Sequence, residues 1–377
     1  MNAQIAADAE AIAARAEADL AALVDVSTPS GDVPGAEEAA RRAVRQLPPG
    51  AAVERLSCST PGCADDLLAR LSGTGAGRVL LLGHLDTVVD HGAHQSMRRE
   101  GPRLYGSGTA DMKGGDVLAL GVARQLAARA SDFAEIAVLL VTDEEWRTVA
   151  FSHVERFAGW DACLCFEAGE QTPDGDDAVV VKRKAAGTLR VRAVGRAAHS
   201  GSAPHKGLNA LLGLAHAAIA GAGAHDPAGD DRLTVVPTVV RSGEAFNVVP
   251  AGGELLFDMR SDRQEAFARV VAAIPDAHEG VTLTATLERS WPAMDSRAQT
   301  AALLTDAGAA LGRPIRQASR GGASDASHYA SSIPLTIDGL GPRGGGAHTP
   351  GEFVLASSLR ERAEVALAVI GAVLARS

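Results

Sequence analysis

Apolar residues recur at helical spacing from Met1, and the pattern predicts an opening helix to about Val26, broken by Ser27-Thr28-Pro29-Ser30-Gly31-Asp32. A second helix is predicted from about Gly35 to Leu47, ending at Pro48-Pro49-Gly50. The unbroken apolar run Val79-Leu80-Leu81-Leu82 reads as a buried strand, and Glu135 to Thr142 and Asp161 to Phe166 read the same way. Between the first two lies a helix from Gly114 to Ala128, opened by a glycine pair. Strands alternating with helices predict a largely parallel sheet covered on both faces.

From about Lys184 the pattern changes. Thr188 to Ala198 reads as an alternating strand, Asn209 to Ala220 as a helix, and Leu233 to Val240 and Gly253 to Arg260 as strands. Arg263 to Ile274 is a predicted helix and Val281 to Arg289 a strand. That order is the split β-α-β sandwich. Beyond Pro292 the first pattern resumes, so a second domain is inserted into the first: 1–183 and 292–377 form one, 184–291 the other.

The 377 residues are too many for one ordinary core, which agrees with two domains. The net charge of −10 and the 3% aromatic content argue against a nucleic-acid surface. The amino terminus lacks the basic start and apolar core of a secretory signal, and no run reaches the roughly 20 apolar residues of a membrane span. A cytoplasmic protein with no membrane partner is expected. Cys58, Cys63, Cys163 and Cys165 form neither a Cys-x-x-Cys pair nor a disulfide framework, and the last two read as small buried hydrophobes.

Candidate chemistry collects where strands end. Gly83-His84-Leu85-Asp86 places an imidazole and a carboxylate side by side, with Leu85 turned away, so that His84 can bind a metal while Asp86 holds its ring. In Tyr105-Gly106-Ser107-Gly108-Thr109-Ala110-Asp111 the glycines let backbone approach a site into which Asp111 projects. A carboxylate there can bridge two cations. Asp143-Glu144-Glu145 ends another strand with consecutive carboxylates pointing in different directions, one for metal and one for water. Glu167 ends a third strand, and His348 lies in a glycine-rich segment.

These five pieces, in this order, resemble the M20 family of dinuclear zinc amidohydrolases and exopeptidases, the carboxypeptidase G2-like group in particular, over essentially the full chain. The resemblance implies a zinc-exopeptidase-like mixed α/β sheet sandwiched by helices, with an inserted ferredoxin-like α+β lid and dimerisation domain. It implies that His84 and Glu167 complete one Zn2+ site, Glu145 and His348 the other, and Asp111 bridges them, with Co2+ or Mn2+ able to substitute. Asp86 would orient His84 and Glu144 would be the general base. Gly195-Arg196-Ala197-Ala198-His199-Ser200-Gly201 is similar to the family's lid motif, in which the histidine reaches the partner subunit's site in a homodimer; His199 would stabilise an oxyanion there. Asn247 and Arg260 match lid elements that grip substrate, Arg260 through a bidentate bond to a carboxylate. Gly321-Gly322-Ala323-Ser324-Asp325-Ala326 is similar to a glycine-rich turn facing substrate, and is equally a plain loop.

The implied activity is hydrolysis of an amide in an N-acyl amino acid or small peptide. Deacylation of an intermediate such as acetylornithine or succinyl-diaminopimelate, and hydrolytic release of ammonia from an aromatic amine, are siblings of it. A metal-free binding or scaffold protein is the reading from another class. Trp146-Arg147 stands where relatives carry small residues; Trp146 either walls the pocket or packs beneath the catalytic loop. Lys182-Arg183-Lys184 either recognises an acidic side chain or is a solvated strand edge.

Overall fold

The computed structural model describes residues 2–377. The chain divides into two compact units: one of the chain up to Lys182, Met294–Arg320 and Ser324–Ser377, the other of Arg183–Ala293 with Gly321–Ala323.

The first unit is built on a six-stranded sheet. Its order is Ala52–Leu56, Asp66–Ser72, Glu135–Val141, Arg78–His84, Ala162–Cys165, Leu335–Ile337. The last four strands run parallel, and the first two join antiparallel at one edge. The sheet is thus mixed. Alternation along the strands divides their side chains between two cores. Leu67, Val79, Leu81, Ile136, Val138 and Leu164 pack with the long helices Ala3–Val24, Gly114–Ala127, Arg297–Leu311 and Ala356–Leu374. Leu68, Leu80, Leu82, Leu139, Cys163 and Cys165 face the other way, onto Phe151, Phe157, Trp160, Tyr329 and Ile333. Helical cover on that second face is short, a Val154–Phe157 turn and Ala326–Tyr329. Cys163 and Cys165 are buried within it.

The opening helix shows why periodicity works. Ile5, Ala9, Ile12, Ala16, Leu20 and Leu23 form one buried stripe, and the Asn2 side chain caps the start by accepting the Gln4 amide at 2.9 Å. The next helix, Val33–Val44, is capped by Asp32 in the same way. A smaller antiparallel sheet, Gly344–Gly345, Phe353–Leu355, Arg103–Tyr105 and Arg98–Glu100, lacks any long apolar run and is silent in the hydropathy pattern. It sets the Asp111 loop against the His348 loop.

The second unit has its own core around Leu189, Val191, Leu214, Phe257, Met259 and Phe267. Its sheet runs Thr234–Ser242, Gly252–Ser261, Ala185–Val194, Val281–Trp291, Ala277–His278, all antiparallel, with helices Ala210–Ala222 and Phe267–Ala273. The second helix is shorter than its apolar pattern predicts, because a 3-10 turn, Gln264–Ala266, precedes it. Ile274 is extended, as a residue before proline is (Pro275 follows).

Candidate metal centre

Three strand ends and two loops, those of Asp111 and His348, supply the side chains. Arg78–His84 and Glu135–Val141 are parallel neighbours, His84 opposite Val141, so His84 and the Asp143-Glu144-Glu145 turn emerge together at one sheet edge. Ala162–Cys165 is the neighbour on the other side and delivers Glu167. Gly115 lets the Asp111 segment come close, since a Cβ there would sit 1.8 Å from the Phe166 carbonyl.

The donor atoms converge. His84 Nε2 lies 3.2 Å from Asp111 Oδ1 and 3.8 Å from Glu167 Oε1. His348 Nε2 lies 3.0 Å from Asp111 Oδ2 and 3.1 Å from Glu145 Oε1. Asp111 thus spends one oxygen on each imidazole. Ligands at about 2.0–2.2 Å from a tetrahedral cation stand roughly 3.4 Å from one another. The donor set has that spacing, and its nitrogen and oxygen chemistry is that of zinc and its neighbours, so the residues fit a pair of cations. His348 is held in the left-handed region, φ 65°, a conformation uncommon outside glycine and found where function fixes a side chain.

The supporting hydrogen bonds differ from the sequence expectation in one respect. The closest partner of His84 Nδ1 is the Asp86 backbone carbonyl, 3.1 Å away, with the carboxylate at 3.4 Å. That carboxylate instead accepts the amides of Glu144 (3.1 Å) and Glu145 (3.2 Å) and the Ser30 hydroxyl (2.6 Å). Asp86 therefore ties the imidazole strand to the paired-glutamate turn. Glu352, unremarked in the sequence, accepts the amides of Gly108, Ala110 and Asp111 at 2.9, 2.8 and 2.9 Å and fixes the bridging loop.

So many acids in one buried place disturb one another. Burial, moderated by His84 and reinforced by Glu145 and Asp111, pushes Glu144 up to about 7. Burial also raises Glu167 well above the usual carboxylate range. Hydrogen bonds to Asp111 and Glu145 lift His348 to about 10. Burial opposes ionisation of Asp111, yet bonds from both histidines hold it well below its ordinary value. This is a site short of positive charge.

Two neighbours of the turn settle differently. Arg147 is buried and bonds Asp143 at 2.7 Å and Asp325 as well. Ser324 is buried and donates to Asp338 at 2.6 Å, so the second half of the glycine-rich turn is structural. Trp146 stays 63% exposed and lies against Gly31, where a Cβ would meet its ring at 2.4 Å; it does not pack beneath the loop. Lys182 reaches Asp295, Arg183 donates to the Gly322 carbonyl and Lys184 to that of Arg232, which occupies the basic run internally.

The remaining residues lie in the second unit. His199 is exposed, and its Nδ1 accepts the amides of Gly201 and Ser202, both at 3.1 Å. Those two bonds place the ring proton on Nε2, leaving it a donor. Asn247 is exposed nearby, its carbonyl accepting the Ser200 amide at 3.0 Å. Arg260 is not with them: its guanidinium forks onto Asp258 of its own strand, at 2.8 and 3.1 Å.

The profile of Peptidase family M20/M25/M40 matches residues 80–372. Carboxypeptidase G2 of Pseudomonas sp. (strain RS-16) is 29% identical over 371 residues, covering 92% of this chain and 86% of its own. Succinyl-diaminopimelate desuccinylase of Xylella fastidiosa (strain 9a5c) is 30% identical over 314 residues, 76% and 81% of the two chains. Among solved structures, the YXEP protein of Bacillus subtilis, described as a dinuclear metal binding peptidase from the M20 family, superposes with a TM-score of 0.70 at 15% identity, covering 98% of this chain and 99% of that one.

Proposed function

As the chain belongs to peptidase family M20/M25/M40, a hydrolase of amide or peptide bonds of the carboxypeptidase or desuccinylase type, we propose that it releases an amino acid from an N-acyl amino acid or small peptide at a two-cation centre. The observation that carries this reading is the convergence of His84, Asp111, Glu145, Glu167 and His348 beside the buried Glu144. His84 and Glu167 would hold one cation, Glu145 and His348 the other, and Asp111 both; zinc suits these donors. Bound there, two cations polarise a carbonyl and lower the pKa of water.

The chain's own groups do the rest. Glu144, a carboxylate with a raised pKa and no ligand task, takes a proton from water. The hydroxide oxygen adds to the amide carbon. The carbon–nitrogen bond then breaks as Glu144 returns the proton to the departing nitrogen. His199, its Nε2–H free, donates to the oxyanion that forms between these steps. Asn247 would position the scissile group. Arg260 would meet a substrate carboxylate by exchanging Asp258 for it, at the cost of an existing ion pair.

A homodimer through the inserted unit accompanies this reading. Thr234–Ser242 is an edge strand with Val236 and Val240 exposed, and Leu211, Leu212 and Ile219 are exposed on the Ala210–Ala222 helix. Such an edge invites a second copy.

The test is product release from a panel of N-acyl amino acids, dipeptides, succinylated amines and aryl amines with zinc or cobalt added. Turnover of the first two groups that ceases on chelation supports the reading. Bound metal with no turnover of any member would sink it.

A further inference from the structure

We propose that Cys58, Cys63, Asp66 and Asp143 form a separate cation site of the zinc-holding class, behind the paired-glutamate turn. The Cys58 sulfur and carboxylate oxygens of Asp66 and Asp143 lie within 4.8 Å of one another. The groups that act on the Cys63 thiol include the Cys58 thiol, Asp143 and Asp66, which brings a fourth donor near the same place. None of the four belongs to the His84–His348 centre.

The topology explains the meeting. Asp66 opens the strand Asp66–Ser72, Asp143 follows Glu135–Val141, and these strands pair antiparallel with Leu67 opposite Leu140. The loop between Leu56 and Asp66 turns back on itself, the Cys63 amide donating to the Thr60 carbonyl at 3.3 Å with Gly62 at φ 88°. Cys58-x4-Cys63 has the spacing of paired zinc cysteines.

Charge and valence both leave room for a cation. Asp66 and Asp143 are fully buried. Arg147 faces Asp143 but also carries Asp325, so two acids share one guanidinium, while Asp66 faces the His153 imidazole. Asp66 Oδ1 takes the Thr142 amide and hydroxyl at 2.9 and 3.2 Å, and among the described residues Oδ2 takes only His153, at 2.8 Å. Asp143 Oδ2 takes the Thr60 amide and hydroxyl at 3.0 and 2.6 Å, and among the described residues Oδ1 takes only Arg147. A carboxylate oxygen has two lone pairs, so Asp66 Oδ2 and Asp143 Oδ1 each keep one. Hydrogen bonds of this kind are the ordinary surroundings of ligating carboxylates.

Two sulfurs with two carboxylates select zinc over magnesium or calcium. Burial, with Asp66 and Asp143 beside it, pushes the Cys58 thiol up, so each thiol that binds zinc gives its proton to solvent as the sulfur–zinc bond forms. The ion would pin the 57–64 loop to the turn that carries Glu144 and Glu145.

Cobalt distinguishes this site from the other, whose ligands contain no sulfur. Full-length protein is stripped by chelation and refilled with Co2+, and its near-ultraviolet spectrum and cobalt content are measured. Expected are a thiolate-to-cobalt charge-transfer band in the wild type, and loss of that band with one equivalent of cobalt in Cys58→Ser/Cys63→Ser. A second measurement needs no variant: zinc should slow alkylation of Cys58 and Cys63 in the wild type at least tenfold relative to chelated protein, with buried Cys163 and Cys165 as internal references. Cobalt uptake without the band, a band that survives the double substitution, equal alkylation rates, or a Cys58–Cys63 disulfide indifferent to zinc would each overturn the proposal. None of these readouts depends on hydrolysis, so the proposed activity can fail while this site stands.

Discussion

Glu352 Oε1 accepts the amide of Asp111 at 2.9 Å across 241 positions of sequence, and by that bond the end of one loop decides where the bridging carboxylate stands. The same side chain takes the Gly108 and Ala110 amides, so removing it frees three donors of the loop at once. Glu352→Ala is expected to weaken metal binding about 10- to 100-fold, the usual loss when a group supporting a ligand is removed. Competition against a chelator of known affinity checks this, and unchanged affinity would make Glu352 a bystander.

Glu144→Ala should leave metal content at the wild-type value and lower turnover by at least about 10²–10⁴-fold, the contribution of a positioned general base. The variant's metal analysis and rate are read together. A variant that hydrolyses at the wild-type rate removes Glu144 from the reaction.

His199→Ala is expected to slow turnover by about 10²–10³-fold, as lost oxyanion donors do, with metals retained. His199→Gln, which keeps a donor without a titrating ring, should recover part of the loss. Equal rates in all three proteins would assign His199 to loop structure, where its Nδ1 already holds the Gly201 and Ser202 amides.

Removing metal should reverse the response of stability to pH. Glu144 is raised from 4.5 to about 7 by burial first, and Glu167 is raised well above 4.5 by the same cause. A group whose folded pKa is raised stabilises fully below its unfolded value and loses that contribution as pH climbs through the folded one. The chelated protein should therefore melt at lower temperature at pH 7 than at pH 4.5, with a smaller slope in Glu144→Gln. With zinc the trend should invert, because cations need deprotonated ligands. A chelated protein that gains stability across this window contradicts the assignment.

Arg147→Leu strips the cation from two buried acids, Asp143 and Asp325, and should cost about 3–5 kcal/mol, the penalty for breaking a buried pair on one side. Denaturant unfolding measures it. The double change Arg147→Leu/Asp325→Asn should restore part of the loss.

Much of the centre is legible in the chain because it sits where apolar runs stop. Val79–Leu82 announces a strand, so His84 and Asp86 are placed before any coordinates exist, and Glu135–Val141 does the same for Glu144 and Glu145. Glu352 has no such announcement: its partners are backbone amides, which every residue carries and no pattern marks. Arg147 is named in the sequence without a partner, because Asp325, one of the two acids around it, lies 178 positions along the chain. The basic run at Lys182 is likewise absorbed by carbonyls and by Asp295 that lie far along the chain. Short strands such as Arg103–Tyr105 and Phe353–Leu355 escape because three residues are too few to show a period.

The left-handed His348 and the Glu352 that braces the Asp111 loop come 237 and 241 positions after Asp111. A ribosome must therefore extrude the chain through Glu352 before Asp111 can be braced and His348 delivered. Arg183–Ala293, which makes up all of the second unit but Gly321–Ala323 and carries its core, is free to fold during translation. A nascent chain that has not reached His348 thus carries a formed insertion and an incomplete donor set.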